Sequence, residues 1–283
     1  FSTLRILITP FGSWWWRSTD FWSIDDRRAK GLVIVLPGIE GRSTLNLDIA
    51  RGLVDGGVPC AVELHDWTTG RFVLAIYHLR SSNLHTRQAV RLATRIKEYQ
   101  DEFPGRPVIL VGHSGGAALI LHTLPLLEDR KISAAVLLAV AVAPTFDTVP
   151  ARRHAEHGIW SFYSPFDWLQ LGLGTTVLGT YEGKHTVSAG MLGFRALDPA
   201  DTELGETAPG NGEQSTNDVA QLHQIGYRLS MLKSWHLGGH WGCTHRLFAA
   251  EWLAPIVLAA STPADPHACK AAEPQETGDP HVG

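Results

Sequence analysis

The chain is 283 residues long, 44 % hydrophobic and 18 % charged, with 24 basic and 28 acidic residues and a formal net charge of -4. This is ordinary globular composition with enough apolar mass for a large core, and the lack of a basic run speaks against nucleic acid as a partner. Cys60, Cys243 and Cys269 are too few and too scattered for a disulfide framework, although one pair could form, and no run approaches the roughly 18 apolar residues of a spanning helix.

The chain opens on Phe1 rather than Met, which is expected of a processed or trimmed product. Cytoplasmic and exported or envelope-associated locations, the latter after removal of an N-terminal segment, both stay open. Trp14, Trp15 and Trp16 are consecutive. A half-buried early strand accounts for them better than an interfacial anchor, with membrane contact left open.

From Gly31 onward strand and helix patterns alternate. "GLVIVLPG" is a short apolar run rich in β-branched residues and ending in Pro-Gly, a buried parallel strand. "TLNLDIARGLVDGG" has helical spacing at Leu45, Ile49 and Leu53 and a glycine stop. "VPCAVELHDW" reads as the next strand. "NLHTRQAVRLATRIKEYQDEF" reads as an amphipathic helix, with Leu84, Val90, Ile96 and Tyr99 among its apolar positions and Pro104-Gly105 ending it. "PVILVGHS" is a strand and "GGAALILHTLPLL" the helix behind it. "ISAAVLLAVAVAP" and "GIWSFYS" are two further strands, and "VAQLHQIGYRLSMLKS" is the candidate for a last one. "HRLFAAEWLAPIVLAA" closes the chain as a helix.

Such alternation predicts a single α/β domain over residues 1–260, its sheet mostly parallel and covered by helices on both faces. Residues 198–218 are polar, acidic and Gly-rich and read as an exposed loop. Residues 261–283 lack a core-forming pattern and read as a disordered tail.

The sharpest motif is Gly112-His113-Ser114-Gly115-Gly116, a G-x-S-x-G directly after a buried strand and directly before a helix. In that context the serine sits on a strained strand-to-helix turn with its hydroxyl at the carboxyl edge of the sheet, above free helix N–H groups. The plain alternative is a glycine-rich helix start with Ser114 as N-cap.

With these elements the chain resembles an α/β-hydrolase of the esterase and lipase kind from about Gly31 to Ala260. The resemblance implies a serine nucleophile, an acid and a histidine in that chain order. It also implies two backbone donors for an oxyanion. One is the N–H of Gly115. The other comes from "LPGIEGRS", where Pro37-Gly38 stands in place of the His-Gly of many members; Ile39 is the first choice and Glu40 the second. The implied acid lies between Ser114 and the histidine, near the end of a strand. Asp167, after "GIWSFYS" and a short turn, is preferred to Asp147 and Glu182.

For the base, the segment from Lys233 to Phe248 offers His236, His240 and His245, with Cys243 among them. His240 is flanked by Gly238, Gly239 and Gly242, which let a loop approach the serine closely. A zinc site is the rival use of the cluster. It is disfavoured because Gly238-Gly239 spoil a helix between His236 and His240 and no H-E-x-x-H pattern is present. His113, His65 and Asp66 read as packing.

These residues lead to an expected serine carboxylesterase with a Ser114–Asp167–His240 triad, an acyl-enzyme and no cofactor or metal. The expected partner is a small-molecule ester with an apolar acyl or aryl group; the oligomeric state is open. A thioesterase or acyltransferase on the same triad is the first alternative and a zinc-binding protein the second.

Overall fold

The computed structural model describes residues 22–195 and 219–261. The expectations for Trp14–Trp16, for the 198–218 loop, for Cys269 and for the tail beyond Ser261 lie outside those residues; Ser261 itself ends a helix.

Six strands form one sheet: β1 (Leu32–Leu36), β2 (Ala61–Leu64), β3 (Val108–His113), β4 (Ala134–Leu138), β5 (Ile159–Tyr163) and β6 (Leu222–Gly226). Their order is β2-β1-β3-β4-β5-β6 and every pairing is parallel. Parallel neighbours need a crossover, and helices supply it. Helix α1 (Thr44–Asp55) joins β1 to β2; α2 (Ala75–Arg80) and α3 (Ser82–Glu102) lead from β2 to β3; α4 (Gly115–Thr123) follows β3. Ser43 starts α1 with a capping box, its hydroxyl accepting from Leu45 N–H while Asn46 Oδ1 accepts from Ser43 N–H.

Alternation of side chains along buried strands divides the apolar residues between two cores. Leu32, Ile34 and Leu36 of β1 and Leu110 of β3 pack with Leu92, Ile96 and Tyr99 of α3 and Leu121 of α4. Val33, Val35, Ile109 and Val111 point the other way, against Ile49 and Leu53 of α1 and against Phe248, Leu253 and Val257 near the end of the described chain. Burial of each such side chain contributes roughly 1.5–3 kcal/mol. A strand apolar on both faces is thus stable only with helices on both sides, as the sequence predicts. The arrangement is an α/β-hydrolase fold.

Several elements differ from expectation. The run "ISAAVLLAVAVAP" is a strand only to Leu138, because Ala139 turns to φ 49° and leaves the ladder. Residues 140–143 stay buried without strand pairing. Their backbone groups bond instead to Tyr181, Ala189, Gly190 and the Glu182 carboxylate. The last strand covers only Leu222–Gly226, and Leu229–Ser234 is a 3₁₀ helix. The closing helix is α-helical over Arg246–Phe248 and Ala254–Ser261 with a π-helical stretch, Ala249–Leu253, between. Val90 is an apolar position of α3 that faces outward, half exposed.

Candidate active site

Ser114 occupies the turn between β3 and α4 with φ 52° and ψ -114°. A non-glycine residue held there costs about 1–3 kcal/mol, so the surroundings must impose it. They do so by proximity. A Cβ on Gly112 would lie 2.7 Å from the Ala117 backbone, and one on Gly116 would lie 2.3 Å from the Pro37 carbonyl oxygen. The turn therefore closes only with glycine at both positions. Ser114 N–H donates to the Leu138 carbonyl at 2.8 Å, which fixes the turn to β4.

Beside it runs the loop after β1, Pro37-Gly38-Ile39-Glu40. Ile39 lies against Gly115; a Cβ on that glycine would meet Ile39 Cγ2 at 3.0 Å. Gly38 N–H is taken by Glu40 Oε1 at 3.2 Å. Ile39 N–H pairs with none of the described groups, and Gly115, at the first position of α4, has no intrahelical partner for its N–H. Among the described residues, two donors next to Ser114 are thus without a partner. The loop is held from behind: Trp67 Nε1 donates to the Pro37 carbonyl at 2.8 Å and His78 Nδ1 to the Ile39 carbonyl at 2.8 Å. Thr69 N–H donates to His78 Nε2 at 3.2 Å, so the ring hydrogen belongs on Nδ1. Trp67 closes the run read as the second strand and His78 lies in α2, and neither position carries a sequence signal for this role.

Asp167 ends a tight turn after β5, its N–H donating to the Ser164 carbonyl at 3.1 Å. It is 2 % exposed, and its Oδ2 accepts from His240 Nδ1 at 2.6 Å. With Nδ1 so engaged, Nε2 is the ring atom left to take a proton. The acid turn and the histidine loop are also tied directly, by Ser164 Oγ donating to the Gly238 carbonyl at 2.5 Å. Gly238 has φ 85° and packs against Phe166; a Cβ there would be 3.1 Å from Phe166 Cβ and from its ring atom Cδ2.

The other candidates do different things. Asp147 is exposed and its Oδ1 accepts from Val149 N–H. Glu182 Oε2 accepts from Ala143 N–H and Thr180 Oγ1. His236 is buried edge-on against Phe248, its Nδ1 accepting from Gly238 N–H, and burial pushes its pKa down to about 4. His245 caps Arg246–Phe248 by accepting from Leu247 N–H. Cys243 donates its thiol to the His240 carbonyl. The cluster thus spreads its members over separate tasks, and no three His, Cys, Asp or Glu side chains among the described residues are grouped to hold a metal. Cys60 and Cys243 are both free and buried.

His113 is fully buried. Its Nε2 donates to the His240 carbonyl at 3.0 Å, and its Nδ1 is 3.9 Å from Glu40 Oε1. Burial opposes charge on this ring, but Cys243 and the Glu40 carboxylate outweigh it and hold the pKa above the usual histidine value. The 3.9 Å separation is an ion-pair distance rather than a hydrogen bond, so on the Glu40 side the upward shift rests on charge attraction.

Ser114 and His240 line one cavity of about 330 Å³ together with Ile39 and Glu40. The remaining wall is largely aliphatic: Leu45, Leu79, Leu169, Leu171 and Leu178, with Trp241. After Asp167 this wall is a π-helical segment, Trp168–Gly174, followed by a helical turn, Thr175–Leu178. Arg80 of α2 donates to the Leu178 carbonyl at 3.0 Å and joins this wall to α2, whose Ala75 and Leu79 also line the cavity.

A serine on a strand-to-helix turn at the carboxyl edge of this sheet, with acid and histidine after β5 and β6, is the α/β-hydrolase arrangement. No family model matches the chain and no curated protein matches it. Solved structures that are remotely similar include the following two. "RedJ with PEG molecule bound in the active site" is 16 % identical with a TM-score of 0.32, over 50 % of this chain and 70 % of that one. "Thioesterase Domain From Curacin Biosynthetic Pathway" is 15 % identical with a TM-score of 0.33, over 81 % and 90 %. At that distance the class rests on strand order and turn geometry.

Proposed function

We propose that the protein is a serine hydrolase that cleaves esters or thioesters through an acyl-enzyme, with carboxylic esters as the first choice. The observation that carries this reading is the strained Ser114 turn opening into the same cavity as a histidine hydrogen-bonded to a buried aspartate. His240 Nε2 takes the Ser114 proton as Oγ attacks the carbonyl carbon. Asp167 holds the ring's orientation and stabilises the imidazolium. The Ile39 and Gly115 N–H groups receive the oxyanion. His240 then returns the proton to the leaving alkoxide or thiolate, and water repeats the sequence to free the acid.

The aliphatic wall favours an uncharged acyl chain. Acyl transfer to an alcohol uses the same parts and differs only in the second acceptor. A fluorophosphonate probe with mass mapping tests the reading. Label on Ser114, and loss of p-nitrophenyl butyrate hydrolysis in Ser114→Ala with folding intact, are the expected results. Label on another serine, or full activity in the variant, would refute it. Butyryl esters and thioesters assayed in parallel, with and without added methanol, sort hydrolysis from transfer.

A further inference from the structure

Between the oxyanion loop and the histidine loop lies a side-chain connection that the proposed chemistry does not itself use. Glu40 sits on the first loop and folds back so that Oε1 accepts from Gly38 N–H. The same oxygen is 3.9 Å from His113 Nδ1. On its other side His113 donates Nε2–H to the carbonyl of His240. That carbonyl also accepts from the Cys243 thiol at 3.4 Å. His113 is 1 % exposed and the Glu40 side chain 13 %, so solvent screens the pair little.

We propose that Glu40 and His113 are positioning residues, a buried strap running from the oxyanion loop beneath the nucleophile turn to the backbone of His240, which keeps base and oxyanion donors in register. The inference rests on the reading that Ser114 and His240 perform the chemistry. The strap is needed because the two loops come from distant parts of the chain, after β1 and after β6, and meet at no shared strand. The histidine loop carries Gly238, Gly239 and Gly242, which give it little stiffness of its own. His113 lies next to Ser114 in sequence, so one residue registers both loops against the nucleophile.

Glu40→Gln is the deciding variant. It keeps the side chain's shape and an oxygen able to accept from Gly38 N–H, and removes the charge that faces His113 and the cavity. Because the cavity also feels that loss, the double variant with His113→Gln is what assigns the effect to the strap. With p-nitrophenyl butyrate, kcat should fall by about 10–100-fold while KM stays within about twofold, because misplacement acts on the transition state more than on binding. The rate of fluorophosphonate labelling at Ser114 should fall in parallel. Glu40→Asp should recover part of the loss. His113→Gln should lower kcat similarly. The double variant should be no worse than the worse single, since both cut the same strap.

A Glu40→Gln enzyme with unchanged kcat and labelling rate would overturn the strap alone. So would single effects that multiply in the double variant. Should His113→Gln fail to fold, Glu40→Gln and Glu40→Asp still decide the matter. A wild-type protein that is not labelled at Ser114 would overturn the catalytic reading and the strap with it.

Discussion

Ser114 holds a backbone conformation that glycine would adopt with little strain. The strain of about 1–3 kcal/mol exceeds the roughly 0.5–1 kcal/mol that glycine loses in the unfolded chain. Ser114→Gly should therefore be more stable than the wild type by roughly 0.5–2 kcal/mol while losing turnover and probe labelling. Urea denaturation checks the first part, and a variant less stable than the wild type would show that the turn is not strained. At the same scale, Asp167→Asn should lower kcat on the order of 10³–10⁴-fold, because an amide in place of Oδ2 cannot stabilise the imidazolium and favours the wrong tautomer. His240→Ala should match or exceed that loss. His236→Ala should cost mainly stability, since its ring fills space against Phe248 and its Nδ1 serves Gly238 N–H. Steady-state kinetics on the three variants separates them; a His236→Ala enzyme as slow as His240→Ala would reverse the assignment.

Among the elements, α4 and the loop after β1 approach each other backbone to backbone. Gly116 lets the first turn of α4 touch the loop after β1. A methyl group there would stand 2.3 Å from the Pro37 oxygen, and neither partner is a flexible side-chain end. Gly116→Ala should lower stability by about 1–3 kcal/mol or more and push the Ile39 and Gly115 donors apart. Thermal unfolding and the labelling rate of Ser114 should fall together; retention of both would mean the loop yields freely. The Ser114 turn and the strands around it were legible in the sequence, because β-branched runs ending in glycine have one reading in this context. The place of Asp167, after a strand and a short turn, was legible too. Three things were not. The apolar run beyond Leu138 reads as strand, yet its partners are the backbone groups of residues 181–190, far along the chain and without a local signal. The π-helical Trp168–Gly174 has no period that sequence spacing can register. The strap through His113 depends on what faces one ring from two distant loops, and a residue flanking a serine reads equally well as packing.

The whole molecule should weaken in mild acid. In the unfolded chain histidine titrates near about 6.5, while burial holds His236 and His65 at about 4 in the fold. Between those values the unfolded state carries protons that the native state does not, so stability is complete above about pH 6.5 and falls as pH drops toward 4. For His236 alone the loss at about pH 5 is about 2 kcal/mol. Burial lowers His85 and His122 in the same direction, and His113, raised, acts the opposite way. Urea midpoints at about pH 7.5 and about pH 5 should differ more for the wild type than for His236→Asn, although the variant is the weaker protein at the higher pH. An equal difference in both would remove His236 as a source of the acid sensitivity.

The cavity walls have a consequence for how such an enzyme changes its diet. Most of its apolar lining comes from α2 and from residues 169–178, neither of which carries Ser114, His240, Ile39 or Gly115, the groups proposed to do the chemistry. The two pieces are fastened to each other by Arg80 and the Leu178 carbonyl. Leu171 connects the two regions: it lines the cavity, and its N–H donates to the Asp167 carbonyl. If the proposed chemistry holds, exchanging Leu79, Leu169 or Leu178 for larger or smaller residues should change which acyl group is taken while leaving Ser114, Asp167 and His240 in place.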